Sequence, residues 1–231
     1  MKTASISEIG LVREVNQDAT FLRHDEKAGV FLVADGMGGY FAGNEASQAV
    51  ADALQEFWDQ YSSFMVKPDF DVCVRVLENL LDVTGGEIHA RTPARKICGT
   101  TVSLMWVSDD KYAILNVGDS RVYSVERRLF NVRRTQLTTD DVNPENGHLR
   151  YALGAEKGCP IQKRTGKVRA SQIFVLCTDG VYKHIPDAIF RRALDELTKN
   201  GDWGRQTEAI KKEVLNYGAK DNFSLAVVGM E

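Results

Sequence analysis

Apolar positions along the chain fall into two rhythms. Short β-branched runs bounded by Gly, Asp or Asn occur at GVFLVA (29–34), TTVSLMWV (100–107), YAILNV (112–117), RVYSV (121–125), QIFVLC (172–177) and FSLAVV (223–228), and predict strands. Two long blocks instead show three-and-four spacing. In 43–61 the periodic positions are Ala46, Ala49, Val50, Ala53, Leu54, Phe57, Trp58 and Tyr61. In 70–90 they are Phe70, Cys73, Val74, Leu77, Leu80, Leu81, Thr84 and Ile88. That spacing lays one apolar stripe along each of two helices. Two more helices are expected at 186–199 and 204–217, with Pro186 in a first turn and Gly201 at a stop.

Helices that arrive in pairs do not supply βαβ crossovers, which argues against a doubly wound parallel sheet. The expected class is α+β, with antiparallel sheets covered by helical hairpins. No repeat, low-complexity tract or linker divides the 231 residues, which read as one domain over 1–231. The stretch TTDDVNPENGHLRYALGAEKGCP (138–160) is crowded with Pro, Asn and Gly. It is expected to be an irregular surface excursion of the kind that sits beside a site.

Composition excludes more than it assigns. With 43% hydrophobic and 26% charged residues, the chain has the make-up of an ordinary globular protein. Net charge is −3 with both signs interspersed, so no basic stripe points to nucleic acid. The densest basic stretch, RRLFNVRR (127–134), reads as a strand with a solvated face. Cys73, Cys98, Cys159 and Cys177 form no CxxC pair, which suits a reducing compartment. No apolar run approaches membrane-spanning length, and the expected location is cytoplasmic with no membrane partner.

The acids carry the chemistry. Three apolar runs lead into an aspartate: VFLVADG at Asp35, ILNVGDS at Asp119 and FVLCTDG at Asp179. A fourth, Asp221, precedes FSLAVV, and Asp18 lies close to another expected strand. Taken singly, each has a plain reading: Asp-Gly is a common turn, and Gly118-Asp119 fits a hairpin between two short strands. Antiparallel neighbours, however, place the end of one strand beside the start of the next, so these acids can meet at one edge. Clustered carboxylates repel, and hard divalent cations neutralise them most simply, since only Arg121 and Lys220 adjoin them in sequence. Oxygen-only ligation selects Mg²⁺ or Mn²⁺, and no His or Cys set competes, because His24, His89, His148 and His184 are scattered. In VADGMGGYFAGNEAS (33–47), Gly36 leaves a backbone carbonyl available beside Asp35, and the glycine run turns the chain into a helix near Gly43. Nucleotide-binding readings fail here: Phe41 stands where GxGxxG needs its third glycine, and no GK[ST] follows.

The motifs GLVREVNQD, VADGMGGYFAGNEAS, CGTTVSLM, NVGDSRVY, QLTTDD, CTDG and KDNFSLAVV, in this order over nearly the whole chain, resemble one family. They look like the metal-dependent, type 2C serine/threonine phosphatases in their compact bacterial form. The resemblance implies a central β-sandwich of two antiparallel sheets flanked by pairs of antiparallel helices, in four αββα layers. It also implies two Mn²⁺ or Mg²⁺ ions at one end. Residue by residue, Asp35 would bridge the two ions with the Gly36 carbonyl on one of them. Asp179 and Asp221 would complete one shell and Asp18 would serve the other. Asp119 with Asp179 matches a third metal site of bacterial relatives, and Arg13 matches an arginine that grips the substrate phosphate. Gln17 stands where many relatives have Glu, and Met37 where animal relatives have a histidine proposed as general acid. The segment after QLTTDD is a shortened flap without the His-Pro-x-Arg core.

The function implied is hydrolysis of phosphoserine or phosphothreonine in protein substrates, by a hydroxide that bridges the two ions and attacks phosphorus in line. The implied partners are phosphorylated proteins and an opposing Ser/Thr kinase, with type VI secretion as one setting, and the implied state is a monomer. Two other classes stay open at this point. One is a two-metal nuclease, and the other is a catalytically silent member kept as a protein-binding module.

Overall fold

The computed structural model describes residues 1–38 and 42–230, apart from the Asn200 side chain. Residues 39–41, within the expected glycine turn, lie outside the described residues together with Glu231. Two antiparallel sheets face each other. One contains β1 (Lys2–Glu8), β11 (Phe223–Gly229), β10 (Gln172–Cys177), β7 (Arg121–Arg127) and β8 (Val132–Gln136), in that order. The other runs β2 (Asp18–His24), β3 (Ala28–Met37), β5 (Val102–Ser108), β6 (Lys111–Val117) and β9 (Gln162–Lys167), with the short β4 (Gly99–Thr100) also paired to β3.

Period-two alternation explains why the strands read as almost continuously apolar. Phe31, Val33, Met105 and Ile114 point to Phe174, Leu176, Ala226 and Val228 of the opposite sheet. Their neighbours Val30, Leu32, Leu104 and Leu115 point outward, under α1 (Ala42–Ser63) and α2 (Phe70–Arg91). Both faces are covered, so both sets are buried. On the far side Val175, Leu225 and Val227 pack under α4 (Asp187–Asn200) and α5 (Trp203–Asn216). The result is the expected four-layer αββα arrangement. Trp106 fixes α1 to its sheet, meeting Phe57 and Tyr61 edge-on at centroid distances of 5.5 and 5.0 Å. Each such contact contributes about 0.5–1.5 kcal/mol beyond area burial. Gly201 ends α4 at φ 64°, and Asp202 caps α5 by accepting from the Arg205 amide.

Several expectations need correcting. RRLFNVRR is a hairpin: β7 ends at Arg127, β8 begins at Val132, and Leu129 and Phe130 are almost fully exposed at the tip. Gly118-Asp119, by contrast, is no hairpin, because β6 and β7 belong to different sheets and this link crosses between them. The strand expected over 100–107 breaks at Thr101, whose side chain turns to the neighbouring strand. The 138–160 excursion is irregular as expected, yet Ala152 and Leu153 are buried and Leu153 pairs with Thr100. No helix among the described residues is long and apolar enough to cross a membrane.

Candidate active site

Strand geometry delivers five aspartates to one end of the sandwich. Asp18 opens β2 and is the register partner of Asp35, which lies two residues before the end of β3. Asp119 sits in the sheet-to-sheet crossing, Asp179 begins the helical turn α3 (Asp179–Tyr182) after β10, and Asp221 precedes β11. All the other four carboxylates act electrostatically on Asp35. A cleft of about 690 Å³ opens there, with Arg13, Asp35, Gly36 and Asp221 in its walls.

Hydroxyl and amide groups hold the Asp35 backbone and the Asp18 carboxylate in place. The Asp35 amide donates to Thr101 Oγ1 (2.9 Å) and its carbonyl accepts from the Thr101 amide (2.8 Å), while Thr101 Oγ1 also meets Ser120 Oγ at 2.7 Å. The GTT stretch therefore ties Asp35 to the crossing that carries Asp119. Thr178 Oγ1 donates to Asp18 Oδ2 (2.9 Å) and accepts from the Ser224 amide (2.9 Å). Gly36 is a glycine for a steric reason: a Cβ there would lie 2.0 Å from the Gly43 carbonyl oxygen and 2.7 Å from that of Gln17. The end of β3 thus presses directly on the start of α1, and Ser47 Oγ donates to the same Gln17 carbonyl at 2.7 Å.

Asn222 organises the cleft's other wall. Its Oδ1 accepts from the Gln17 amide (2.9 Å), and its Nδ2 donates to the carbonyls of Ile9 (2.9 Å) and Val15 (3.0 Å). One buried amide therefore shapes the 9–17 loop that carries Arg13. Arg13 in turn meets Asp221 at two points, Nε to Oδ1 at 2.8 Å and Nη2 to Oδ2 at 2.9 Å. Such a fork-to-carboxylate pair fixes orientation as well as charge.

Burial and mutual repulsion shape the electrostatics. Desolvation, with help from Asp179 and Asp221, pushes Asp18 up to about 7 against hydrogen bonds from Ser224 and Thr178. Asp35 is raised well above the usual carboxylate range, first by desolvation and then by Asp18. Desolvation also raises Asp119, opposed by the hydrogen bond from Lys183.

Lys183 is the residue that sequence reading missed. Its Nζ donates to Asp119 Oδ2 at 2.7 Å and to Asp179 Oδ2 at 2.9 Å. Of the adjacent cations named from sequence, Arg121 is committed elsewhere: it forms a two-point pair with Asp140 and stacks 3.5 Å from the Tyr182 ring. A signal for Lys183 existed, since it stands four residues after Asp179 and a helical turn brings such positions together.

The donor set suits a hard divalent cation: it is carboxylate and carbonyl oxygen, with no His or Cys in the cleft wall. Asp18 Oδ1 is buried with no hydrogen-bond partner, a costly state for a carboxylate that a cation would relieve. Among the described residues, no three of these acids close on one point as a finished ion cage would. Arg13 and Lys183 instead divide the charge between them.

Residues 12–214 match the family model described as Protein phosphatase 2C. The chain is similar to the serine/threonine phosphatase stp of Listeria innocua, 24% identical over 242 residues that cover 95% of this chain and 92% of that one. Among solved structures it resembles PppA, described as a key regulatory component of T6SS in Pseudomonas aeruginosa. That likeness has a TM-score of 0.82 at 24% identity, over 98% of this chain and 96% of the other. The catalytic domain of the serine/threonine phosphatase PstP, solved in complex with two manganese ions, gives 0.76 at 24% identity over 98% and 96%. At that identity the structural likenesses speak for the fold.

Proposed function

The chain belongs to the protein phosphatase 2C family, and from that premise we propose that residues 1–231 act as one catalytic domain hydrolysing phosphoserine and phosphothreonine in bacterial proteins. The observation that carries the reading is the gathering of four carboxylates about Asp35, beside a cleft walled by Asp35, Asp221 and Arg13, with a partnerless buried oxygen on Asp18.

Asp35, the Gly36 carbonyl, Asp179 and Asp221 are the groups that would hold Mn²⁺ or Mg²⁺, with Asp18 serving the second of two ions. When bound, such ions supply Lewis-acid charge to the phosphoryl oxygens and make water acidic enough to react near neutral pH. The two manganese ions of the PstP complex support this pairing of ions with the fold.

The chain's own residues do the rest. Arg13 spends Nε and Nη2 on Asp221, which aims the guanidinium and leaves the Nη1 hydrogens for a phosphate oxygen. Asp18 and Asp35, both raised by desolvation, would have to give up their protons for the site to hold cations. Met37 carries no proton to give, so its side chain cannot serve as a general acid to the leaving oxygen. Cys98 and Cys177 are buried thiols raised by desolvation, unsuited to act as nucleophiles.

A phosphatase of this kind would work in the cytoplasm as a monomer against a Ser/Thr kinase. The likeness to PppA makes secretion regulation one pathway to examine. The deciding assay is Mn²⁺-dependent release of phosphate from a phosphothreonine peptide, with EDTA and nucleic-acid controls. Activity abolished by EDTA and lost at least ~100-fold in Asp35→Asn is expected. Undiminished turnover in that variant, or cleavage of nucleic acid instead, would overturn the reading.

A further inference from the structure

The family resemblance pairs Asp119 with Asp179 for a third divalent ion, and this chain places an ammonium there. Lys183 Nζ lies 2.7 Å from Asp119 Oδ2 and 2.9 Å from Asp179 Oδ2, donating to both. The contact is built rather than incidental. Lys183 follows α3 directly with helical backbone angles, and its amide donates to the Asp179 carbonyl at 2.9 Å, which fixes the reach of its side chain. On the other side, the Tyr182 hydroxyl donates to the Asp119 carbonyl at 3.0 Å, and Arg121 covers the Tyr182 ring at 3.5 Å. Arg121 is itself locked onto Asp140 by contacts of 2.7 to 3.2 Å. Asp119, with a side chain only 9% exposed, thus has its backbone and its carboxylate both committed to the segment that carries Lys183.

We propose that Lys183 is a tethered counter-ion that takes the place of a third divalent cation between Asp119 and Asp179. The two occupants compete for the same Oδ2 atoms. An ion held by both carboxylates would have to sit at about 2.0–2.2 Å from them, inside the space the ammonium fills, and would face its positive charge. A tethered charge carries no translational cost of capture and does not depend on metal supply. Asp179 is shared, so the lysine also orients a carboxylate that would serve the two-ion centre.

The inference rests on the divalent-ion reading of the neighbouring acids, and its test is a difference between proteins rather than an absolute count. Metal-stripped wild type, Lys183→Ala, Lys183→Arg and the double variant Lys183→Ala with Asp119→Asn are dialysed to equilibrium against MnCl₂, and bound manganese per chain is counted. Lys183→Ala should bind one ion more than wild type. Lys183→Arg, which keeps the charge, should match wild type, and the double variant should lose the gain. Equal counts in wild type and Lys183→Ala overturn the proposal, as does a gained ion that survives Asp119→Asn. A wild type that binds no manganese would defeat the two-ion reading, while the difference between wild type and Lys183→Ala still decides the role of Lys183.

Discussion

Asp18 and Asp35 stand directly opposite each other on β2 and β3, two acids in one register pair. Like charges so placed destabilise a sheet, and here burial adds to the cost. The native protein keeps Asp18 protonated up to about pH 7, whereas the unfolded chain releases that proton near 3.8. Between those values the native state binds more protons, so its stability falls as pH rises.

Urea unfolding of EDTA-treated protein should therefore show a midpoint that declines from about pH 4 to pH 7. Adding Mn²⁺ should remove most of the decline by giving the ionised acids a counter-charge. Asp35→Asn removes one of the two raised carboxyls and should lessen the metal-free decline, while Asp18, raised mainly by desolvation, keeps part of the slope. A midpoint that rises over the same window would contradict the buried-pair account.

Arg13 is aimed by Asp221, and the geometry of the fork matters as well as its charge. Arg13→Ala should raise KM for a phosphopeptide by roughly ten- to a hundredfold with a smaller change in kcat. Arg13→Lys should recover only part of the loss, because one ammonium cannot hold Asp221 at two points and still meet phosphate. Steady-state kinetics on the three proteins decides the matter.

Removing the Asn222 amide leaves three backbone groups of the 9–17 loop without their partner. At about 0.5–1.5 kcal/mol for each bond, Asn222→Ala should cost ~2–4 kcal/mol of stability. KM should rise too, because the same loop carries Arg13. A variant as stable as wild type would mean the loop is held by something else.

Gly36→Ala tests the close passage of β3 over α1. The added carbon would meet two backbone carbonyls, neither of which can swing aside as a side chain can. Destabilisation of ~1–3 kcal/mol is expected, with loss of activity out of proportion to it because Asp35 is adjacent. Thermal melts paired with phosphatase assays separate the two effects.

The central strands were legible because both their faces are buried, which leaves an apolar run with sharp polar ends. GVFLVA and QIFVLC lie wholly within β3 and β10 for that reason. The edges were not. QKRTGK forms β9 although none of its six residues is buried, so only backbone pairing with β6 makes it a strand. KTASISE is an edge strand with Ile6 as its sole buried residue, too weak an alternation to read. At the site, the acids showed themselves as carboxylates that interrupt apolar runs. Lys183 showed only its spacing from Asp179, since Asp119 lies 64 residues away, and Asn222 showed nothing, since its partners lie 205 to 213 residues away.

The excursion after β8 is nailed down at both ends. Arg121 grips Asp140 with Nη2 at 2.7 Å, and Leu153 exchanges backbone bonds of 2.8 and 3.0 Å with Thr100, next to the residue that braces Asp35. Between these anchors, Val142 and Leu149 bridge to close a small solvent-facing lobe of their own. Asp141, at the foot of the lobe, exchanges hydrogen bonds with Gly118, so the lobe leans on the crossing that carries Asp119. An insert at the tip of the lobe would therefore be felt below, since the outer loop and the acid-bearing crossing share one joint.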